Sequence, residues 1–209
     1  MDQQCFLDNI RAAVARNAKP SPTPLPEWDP AMVTSQLAPD TDSDSASLWE
    51  TFCQRFRAVN GQTIEGIGPL IALLLNADAK HGYLAPELNG PLAGPLQNAG
   101  ITLESAIDTT RIDDYAFGIT RAAGIIAETG SVVINESSTP SRLGALAPWI
   151  HVTLIDANTK VFATLVDAIK DLGDEPYVVF ATGPSKTADV EGILIEGVHG
   201  PGMQICLRL

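Results

Sequence analysis

The chain is poor in cysteine. Its 209 residues include three cysteines, Cys5, Cys53 and Cys206, which are far apart and form no C-x-x-C pair. Domains that depend on disulfides have an even number of cysteines at a higher density. Iron-sulfur and zinc sites need closely spaced thiols. The sequence therefore excludes a disulfide framework and contains no iron-sulfur or zinc motif. Such cysteine usage is typical of the reducing cytoplasm, where we expect the protein to reside.

Positive charge and long apolar runs are also scarce. The chain has 13 Lys and Arg residues against 25 Asp and Glu residues, which gives a net charge of -12. Nonspecific nucleic-acid binding depends on a basic surface, so we expect no nucleic-acid partner. No apolar run reaches the roughly 18 residues of a membrane span, and the N-terminus lacks the basic and apolar parts of a secretory leader. We therefore expect no membrane span.

Proline divides the chain into two parts. Residues 3–17 repeat apolar side chains at helical spacing, which predicts a short amphipathic helix. Residues 20–44 contain six prolines, several acids and no Lys or Arg, which is typical of an extended linker. We predict an N-terminal helix and Pro-rich acidic linker over residues 1–44 and a folded domain over residues 45–209. The linker is either a spacer or an arm that wraps a neighbouring subunit.

The folded part has the alternating pattern of an α/β protein. Residues 45–59 predict a helix with an aromatic face, and residues 158–173 predict an amphipathic helix with Asn158 as its N-cap. Apolar runs at residues 149–155 and 177–181 predict strands on either side of the second helix. This order implies a parallel pair joined by a right-handed crossover. The predicted fold class is α/β, with a mostly parallel, doubly wound sheet flanked by helices.

A dense polar cluster follows the last of these strands. It occupies residues 182–191 and 197–201, and it holds a lysine, hydroxyls, carboxylates and a histidine among glycines and prolines. In open α/β sheets, ligands sit beyond the carboxyl ends of the strands. If Ser185 or Thr187 caps a helical turn, its free N–H groups and Lys186 would face the same crevice. This arrangement favours an anionic ligand.

Two other interpretations of this cluster are a nucleotide-binding loop and a purely structural role. A nucleoside triphosphate-binding loop needs glycine where Phe180 and Ser185 stand, so that interpretation is rejected. The structural alternative is that the hydroxyls only cap a helix while Lys186 pairs with Asp189 at the surface.

A second polar cluster lies earlier in the chain. Glu128, Thr129 and Gly130 occupy a predicted turn between two strands, and Arg142 follows Pro140 at a predicted helix start. A guanidinium can bind a carboxylate through two parallel hydrogen bonds. The alternative is that Glu128 is an ordinary turn acid and Arg142 an ordinary surface residue.

Five segments of the chain carry a family resemblance: residues 126–133, Arg142, residues 148–151, residues 183–191 and residues 197–201. Together they resemble the lactate utilization protein C family, whose LUD domain was formerly a domain of unknown function. The resemblance covers roughly Ser45 to the C-terminus. It implies a fold similar to glucosamine-6-phosphate isomerase, ribose-phosphate isomerase and the CoA-transferases. It also implies a part in the oxidation of L-lactate to pyruvate, with two other subunits that carry iron-sulfur clusters.

The motif match and side-chain chemistry together select candidate site residues. The catalytic candidates are Glu128, Asp189 and His199, and the substrate-binding candidates are Thr129, Gly130, Arg142, Gly183, Ser185, Lys186 and Thr187. For a 2-hydroxy acid, Arg142 and Lys186 would hold the carboxylate and His199 would accept the hydroxyl proton. Electrons would leave through a cofactor or a partner subunit, because no residue of the chain can carry a hydride onward. The cofactor is unknown, since the sequence holds neither an iron-sulfur motif nor a G-x-G-x-x-G fingerprint. His199 with Asp189 is a thin ligand set, and we predict no metal.

Two other functions fit the same residues. In a sugar-phosphate or acyl-CoA enzyme, Lys186 and hydroxyls would hold a phosphate, and Glu128 would act as base or nucleophile. The other alternative is a non-catalytic scaffold or regulatory subunit. The expected partners are a small anionic substrate, iron-sulfur oxidoreductase subunits and, as an option, a second copy of the chain. We expect His81 to face solvent in a turn, and His151 and Cys206 to be core residues.

Overall fold

The computed structural model describes residues 3–17, 44–188 and 194–209. The predicted linker lies outside these ranges except for its last residue, Asp44, and the catalytic candidate Asp189 lies outside them too. The chain divides into two compact units, Met1–Gln36 and Leu37–Leu209. In the first unit, helix α1 spans Gln3–Asn17, so the helix predicted from apolar spacing is confirmed.

The second unit alternates strands and short helices. Its strands are β1 (Gln62–Glu65), β2 (His81–Leu84), β3 (Thr102–Glu104), β4 (Phe117–Arg121), β5 (Gly124–Ile126), β6 (Ser131–Asn135), β7 (Ile150–Ile155), β8 (Lys160–Phe162), β9 (Val178–Ala181), β10 (Lys186–Ala188), β11 (Leu194–Glu196) and β12 (Met203–Arg208). Its α-helices are α2 (Ser45–Ala58), α3 (Ile67–Asn76), α4 (Gly94–Asn98), α5 (Leu143–Leu146) and α6 (Leu165–Asp171). Tighter or wider helical turns occur at Pro86–Leu88, Asn89–Ala93 and Thr109–Asp114.

Six of the strands form a parallel sheet. They lie side by side in the order β1-β12-β7-β4-β2-β3, and each neighbouring pair is parallel. Parallel neighbours need long crossover connections, which place helices against the faces of the sheet. The predicted α/β class with a mostly parallel sheet and flanking helices is therefore confirmed.

The two faces of this sheet differ in chemistry. On one face, Ile119, Val152 and Ile205 belong to an apolar cluster that includes Leu70 and Leu74 of α3. Side chains alternate between faces along a strand, so the intervening residues point to the opposite face. These intervening residues of the central strands are Gly118, Thr120, His151, Thr153, Gln204 and Cys206. The second face therefore carries buried polar groups.

A second, four-stranded sheet packs near that polar face. Its order is β8-β5-β6-β9, with β8 and β5 parallel and the other neighbours antiparallel. The remaining strands, β10 and β11, pair as an antiparallel ribbon. One apolar cluster joins residues of both sheets to α2, including Ile125 and Val132 from the second sheet and Cys206 from the first. The buried position expected for Cys206 is thus confirmed.

Helix α2 begins at Ser45, the first residue of the predicted helix. Asp44 is the N-cap, and its carboxylate accepts a hydrogen bond of 2.8 Å from Ser47 N. The rings of Phe52 and Phe56 are fully buried and stack with centroids 5.3 Å apart. The aromatic face predicted for this helix is therefore core, as apolar periodicity indicates.

The predicted crossover over residues 149–181 is wrong. Strand β7 lies in the parallel sheet, whereas β9 lies in the second sheet and pairs antiparallel with β6. The single helix predicted over residues 158–173 is also replaced by a strand and a shorter helix. Lys160–Phe162 pairs with β5, and α6 starts only after Thr164, whose hydroxyl accepts from Asp167 N. Pairing with β5 overrides the helical spacing of these apolar residues.

The histidine predictions have different outcomes. His151 is fully buried and hydrogen-bonded, so its assignment as a core residue is confirmed. His81 was expected to face solvent in a turn, which is wrong, because it is the first residue of β2. Its Nε2 lies 2.9 Å from Glu104 Oε1, and its ring stacks on Tyr115 with centroids 5.0 Å apart.

Candidate functional site

A cleft of about 340 Å³ brings together three of the predicted site residues, Gly183, Ser185 and His199. One wall is the segment after β9, and the other is the loop before β12. Helix α5 and the start of β12 complete it. Its described lining residues are Ala145, Leu146, Val179, Phe180, Ala181, Thr182, Gly183, Pro184, Ser185, His199, Gly200, Pro201 and Gln204. We call this the terminal cleft.

The first wall is shaped by a glycine with left-handed backbone geometry. Gly183 has φ +77°, and a Cβ there would lie 2.6 Å from Val59 O at the end of α2. Only glycine allows this turn and this close approach. The chain can therefore leave β9 and place Ser185 against the opposite wall.

Backbone hydrogen bonds then join the two walls. Ser185 N donates to Pro201 O (2.8 Å), and Gly197 N donates to Ser185 O (2.9 Å). The indole of Trp149 fixes the second wall, because Cβ atoms at Gly197 and at Gly202 would both overlap its ring. His199 is exposed on the loop that these contacts hold.

The polar cluster follows a strand, but not the kind of strand that was predicted. Strand β9 belongs to the mixed second sheet. Pro201 and Gln204 instead place the cleft at the amino end of β12 in the parallel sheet. The rule that ligands lie beyond the carboxyl ends of parallel strands therefore does not locate this cleft.

A row of hydroxyls links the terminal cleft to the earlier polar cluster. Thr129 Oγ1 and Ser131 Oγ are 2.7 Å apart, and Ser131 Oγ and Thr182 Oγ1 are 2.6 Å apart. Gly130 lies in the same turn with φ +65°, and a Cβ there would lie 2.5 Å from Phe56 N. The hydroxyl of Ser131 therefore connects Thr129 to the cleft residue Thr182. Gly130 packs against α2.

A buried polar network begins at the floor of the cleft. Gln204 Oε1 accepts a hydrogen bond from His151 Nδ1 (2.9 Å), so His151 Nε2 accepts one from Thr120 Oγ1 (2.8 Å). Gln204 Nε2 also donates to Thr153 Oγ1 (3.4 Å). Burial lowers the pKa of His151 to about 4, because a charged imidazole there would lose its hydration, although the bond to Gln204 opposes this shift. The imidazole is therefore neutral at pH 7.

Gln204 is the site residue that sequence reasoning missed. A signal was present, since glutamine interrupts an apolar strand at a position facing the same way as His151 on β7. Buried polar side chains are costly unless they are hydrogen-bonded, so two of them on one face indicate a polar interior.

Lys186 points away from the terminal cleft. Its Nζ donates to Val59 O (3.1 Å) at the C-terminus of α2 and lies 3.6 Å from Glu196 Oε1. Asn60 Nδ2 donates to the same carboxylate oxygen (2.7 Å). A lysine at a helix C-terminus satisfies carbonyls that have no partner within the helix. In this structure the lysine stabilises the end of α2.

Thr187 lies in an extended segment. It pairs with Ile195 in the β10-β11 ribbon, so the helical turn predicted to begin at Ser185 or Thr187 is wrong for residues 186–188. Alternation along the strand sends successive side chains to opposite faces, which separates Thr187 from Lys186.

Glu128 and Arg142 lie outside the lining of the terminal cleft. Glu128 Oε2 accepts a hydrogen bond of 2.9 Å from Leu165 N at the start of α6. Arg142 is the N-cap residue of α5, so the predicted helix start is confirmed, and its guanidinium lies 5.9 Å from the ring centroid of Tyr177. The two residues therefore have structural contacts of their own.

Metal-binding chemistry has little support in the described part of the chain. No group of three or more His, Cys, Asp or Glu side chains there is arranged to hold a metal ion. Burial raises the pKa of the Cys53 and Cys206 thiols. Among the described helices, none combines the length and the apolarity needed to cross a bilayer.

Comparison with known proteins identifies one domain type. The LUD domain family matches residues 101–207. Lactate utilization protein C of Bacillus velezensis is 24% identical over 222 residues, which cover 95% of this chain and 92% of the relative. The protein of the same name from Oceanobacillus iheyensis is 26% identical over 220 residues, covering 94% and 93% of the two chains.

The fold also has a counterpart among solved structures. The crystal structure of a DUF162 family protein from Deinococcus radiodurans matches with a TM-score of 0.55 and 16% identity. The match covers 80% of this chain and 99% of that one. At this identity the similarity concerns the fold.

Proposed function

The chain belongs to the LUD domain family, and from this premise we propose that it is a lactate utilization protein C-like subunit that takes part in the oxidation of L-lactate to pyruvate. The names of its full-length relatives support this proposal, since the matches cover more than nine tenths of both proteins. The iron-sulfur partner subunits belong to the proposal as well, as the acceptors of the electrons.

The proposed substrate site is the terminal cleft. The observation that carries this assignment is the meeting of Ser185 and His199 across a cleft whose floor includes Gln204, which is hydrogen-bonded to the buried His151. A 2-hydroxy acid has a carboxylate that accepts hydrogen bonds and a hydroxyl that donates one. The hydroxyls of Ser185 and Thr182 supply donors for the carboxylate.

The proposed catalytic group is His199. An imidazole serves as a general base near neutral pH, and its place on the cleft wall lets it accept the hydroxyl proton of the substrate. Oxidation of the alcohol to the ketone releases two electrons and two protons in total. His199 takes the hydroxyl proton, the two electrons pass to the iron-sulfur subunits, and the second proton leaves to solvent.

The other predicted residues have different proposed roles. Gly183 shapes the cleft wall, and Thr129 supports Thr182 through Ser131. Lys186 contacts the end of α2, and Arg142 lies over the ring of Tyr177. We therefore propose that the substrate carboxylate binds to uncharged hydrogen-bond donors instead of these two cations. The catalytic role of Asp189 stays a prediction.

Binding to the isolated chain tests the site. We expect L-lactate or pyruvate to raise the melting temperature, because a ligand that binds only the folded state stabilises it. Ser185→Ala and His199→Ala should each weaken this binding about tenfold, equivalent to about 1.4 kcal/mol. Thr51→Ala and His81→Gln are matched controls, since their contacts lie on α2 and at β2, away from the cleft. Unchanged affinity in both site variants would remove the terminal cleft from consideration.

The same assay separates the alternative functions. Stabilisation by sugar phosphates or CoA, without an effect of hydroxy acids, would favour an enzyme of that class. Stabilisation by none of these ligands would favour a non-catalytic subunit. Lactate oxidation by the assembled system, measured with and without this chain, tests the partner proposal directly. Equal rates in both mixtures would contradict it.

A further inference from the structure

A second cleft, of about 360 Å³, lies at the carboxyl ends of two central strands. Arg121 is the last residue of β4, Asp156 follows β7 directly, and the two strands are parallel neighbours. Crevices beyond the carboxyl ends of such strands are where α/β sheets bind ligands. The proposed function assigns nothing to this cleft, which we call the strand-end cleft.

The strand-end cleft is lined mainly by polar groups. The first sheet contributes Arg121 and Asp156, and the second contributes Asn135 and Lys160. The remaining described lining residues are Ala122, Ala123, Val133, Ser137, Ser138, Asn158, Thr159, Phe162, Asp171, Leu172 and Glu175. Its volume lies within the range of small-molecule sites. The cleft thus combines several apolar side chains with charged groups.

Four of its five charged residues form ion pairs with each other. Arg121 Nη1 lies 3.0 Å from Asp156 Oδ2, and Lys160 Nζ lies 2.6 Å from Asp171 Oδ2. The lysine pair is the more exposed of the two, so solvent weakens it. The charges that remain after this pairing indicate which ligand the cleft suits.

One hydrogen-bond donor remains unsatisfied. Arg121 Nε is buried and has no hydrogen-bond partner among the residues that the structure describes. Leaving a buried donor unpaired costs on the order of 1–3 kcal/mol, and more for a charged group. A ligand acceptor would remove this cost if the guanidinium turns toward the cleft, where a carboxylate can meet it with two parallel hydrogen bonds.

One carboxylate also remains without a cation. Glu175 is half-buried, and it accepts hydrogen bonds from Ser137 Oγ (2.6 Å, at Oε1) and Ser137 N (3.4 Å, at Oε2), but within the described ranges it forms no ion pair. A carboxylate in this state would gain from an ammonium group, since charge-assisted hydrogen bonds are stronger than neutral ones. The cleft therefore offers one unmatched donor and one unmatched acid.

We propose that the strand-end cleft binds a small zwitterion of the amino-acid type, with its carboxylate at Arg121 and its ammonium group at Glu175. The three acids and two bases of the lining disfavour a simple anion, because they leave a net negative charge. A ligand that carries both charges complements both unmatched groups. The proposal is independent of the terminal cleft and of its substrate.

Calorimetric titration of the full chain with individual L-amino acids tests the proposal. Each amino acid is paired with its hydroxy counterpart, as L-alanine is with L-lactate, so that only the ammonium group differs. The two ligands are compared in Ser185→Ala, in which binding of hydroxy acids at the terminal cleft is weakened. We expect at least one amino acid to bind, and its counterpart to bind about tenfold more weakly. Absence of binding by every amino acid up to about 10 mM, or equal binding by the counterpart, would overturn the proposal.

Variants then assign the binding to this cleft. Glu175→Gln keeps an acceptor for Ser137 but removes the charge, so we expect it to weaken amino-acid binding about tenfold. Arg121→Lys keeps the charge but loses the forked donor, and it should weaken binding similarly. Glu136→Gln is the matched control, because Glu136 is exposed and lies outside the described lining. Unchanged affinity in Glu175→Gln would refute the assignment even if the arginine variant fails to fold.

Amino-acid binding measured in one variant of each cleft distinguishes the two clefts. Ser185→Ala should leave amino-acid binding unchanged, because Ser185 belongs to the terminal cleft. A loss of amino-acid binding in Ser185→Ala together with retained binding in Glu175→Gln would place the amino acid in the terminal cleft and contradict the proposal.

Discussion

The buried imidazole of His151 makes the stability of the protein depend on pH in a way that can be calculated. Burial lowers its pKa to about 4 in the folded state, whereas an unfolded chain has a histidine pKa of about 6.5. The folded protein therefore binds fewer protons between these values. Stability contributed by the neutral histidine is present above pH 6.5 and is lost as the pH falls toward 4.

The magnitude follows from these two pKa values. At pH 7.5 both states hold a neutral imidazole and the difference is negligible. At pH 4.5 the imidazole is protonated in the unfolded chain but mostly neutral in the folded protein. This difference lowers the free energy of unfolding by about 2.5 kcal/mol. For a chain of this length, such a loss lowers the melting temperature by about 5–10 °C.

Urea denaturation at both pH values isolates this contribution. Acidic residues also titrate in this range, so the quantity to compare is the pH-dependent loss in the native chain against that in His151→Gln. We expect the variant to be less stable at pH 7.5 by about 1–3 kcal/mol, because Thr120 and Gln204 lose their partner. Its further loss at pH 4.5 should be smaller than that of the native chain by about 2.5 kcal/mol.

The control for this experiment keeps every titratable group. Thr51→Ala removes a hydroxyl that donates to Ser47 O on α2, so it should show the same pH-dependent loss as the native chain. Parallel pH profiles for the native chain and His151→Gln would show that the buried histidine does not resist protonation, and the reasoning would fail.

The other predictions concern contacts around helix α2 and are measured by urea denaturation at pH 7.5. Gly130→Ala should cost at least about 2 kcal/mol, because φ is positive and the new Cβ would meet Phe56 N; a loss below about 0.5 kcal/mol would contradict this. Lys186→Ala should cost about 1 kcal/mol through the lost bond to Val59 O, with Lys80→Ala, a surface ion-pair residue, as control. Asp44→Ala should cost about 1 kcal/mol through the lost N-cap, and an unchanged midpoint would disprove that cap.

The class of the fold could be predicted from the sequence, but the connections between its strands could not. The apolar runs at residues 149–155 and 177–181 predict two strands that the structure contains, because β-branched and aromatic residues bounded by turns indicate strands. Nothing in either run states which sheet it joins. Partners are selected by long-range packing, so the assumption that successive strands are parallel neighbours failed.

The error over residues 158–173 has a local cause. Val161 and Phe162 continue the helical spacing of the apolar residues that follow, so the sequence alone cannot separate strand from helix there. A capping hydroxyl at Thr164, three residues before Asp167, was the available sign that the helix starts later. Short elements that depend on tertiary pairing are the least predictable from periodicity.

The sequence predicted only part of the candidate site, because polar residues in loops are less specific indicators of a site than polar residues in strands. Polar clusters in loops are common, so the segment around Ser185 predicted a site without distinguishing residues that line a cleft from those, such as Lys186, that stabilise a helix end. Polar residues inside strands are rarer and need hydrogen-bond partners when buried. Gln204, which lines the cleft and is the register partner of His151 on the neighbouring strand, therefore marks the cleft floor more specifically than the loop does. The glutamine inside an apolar strand is visible in the sequence, but its alignment with His151 depends on the pairing of β7 with β12, which no local pattern reveals.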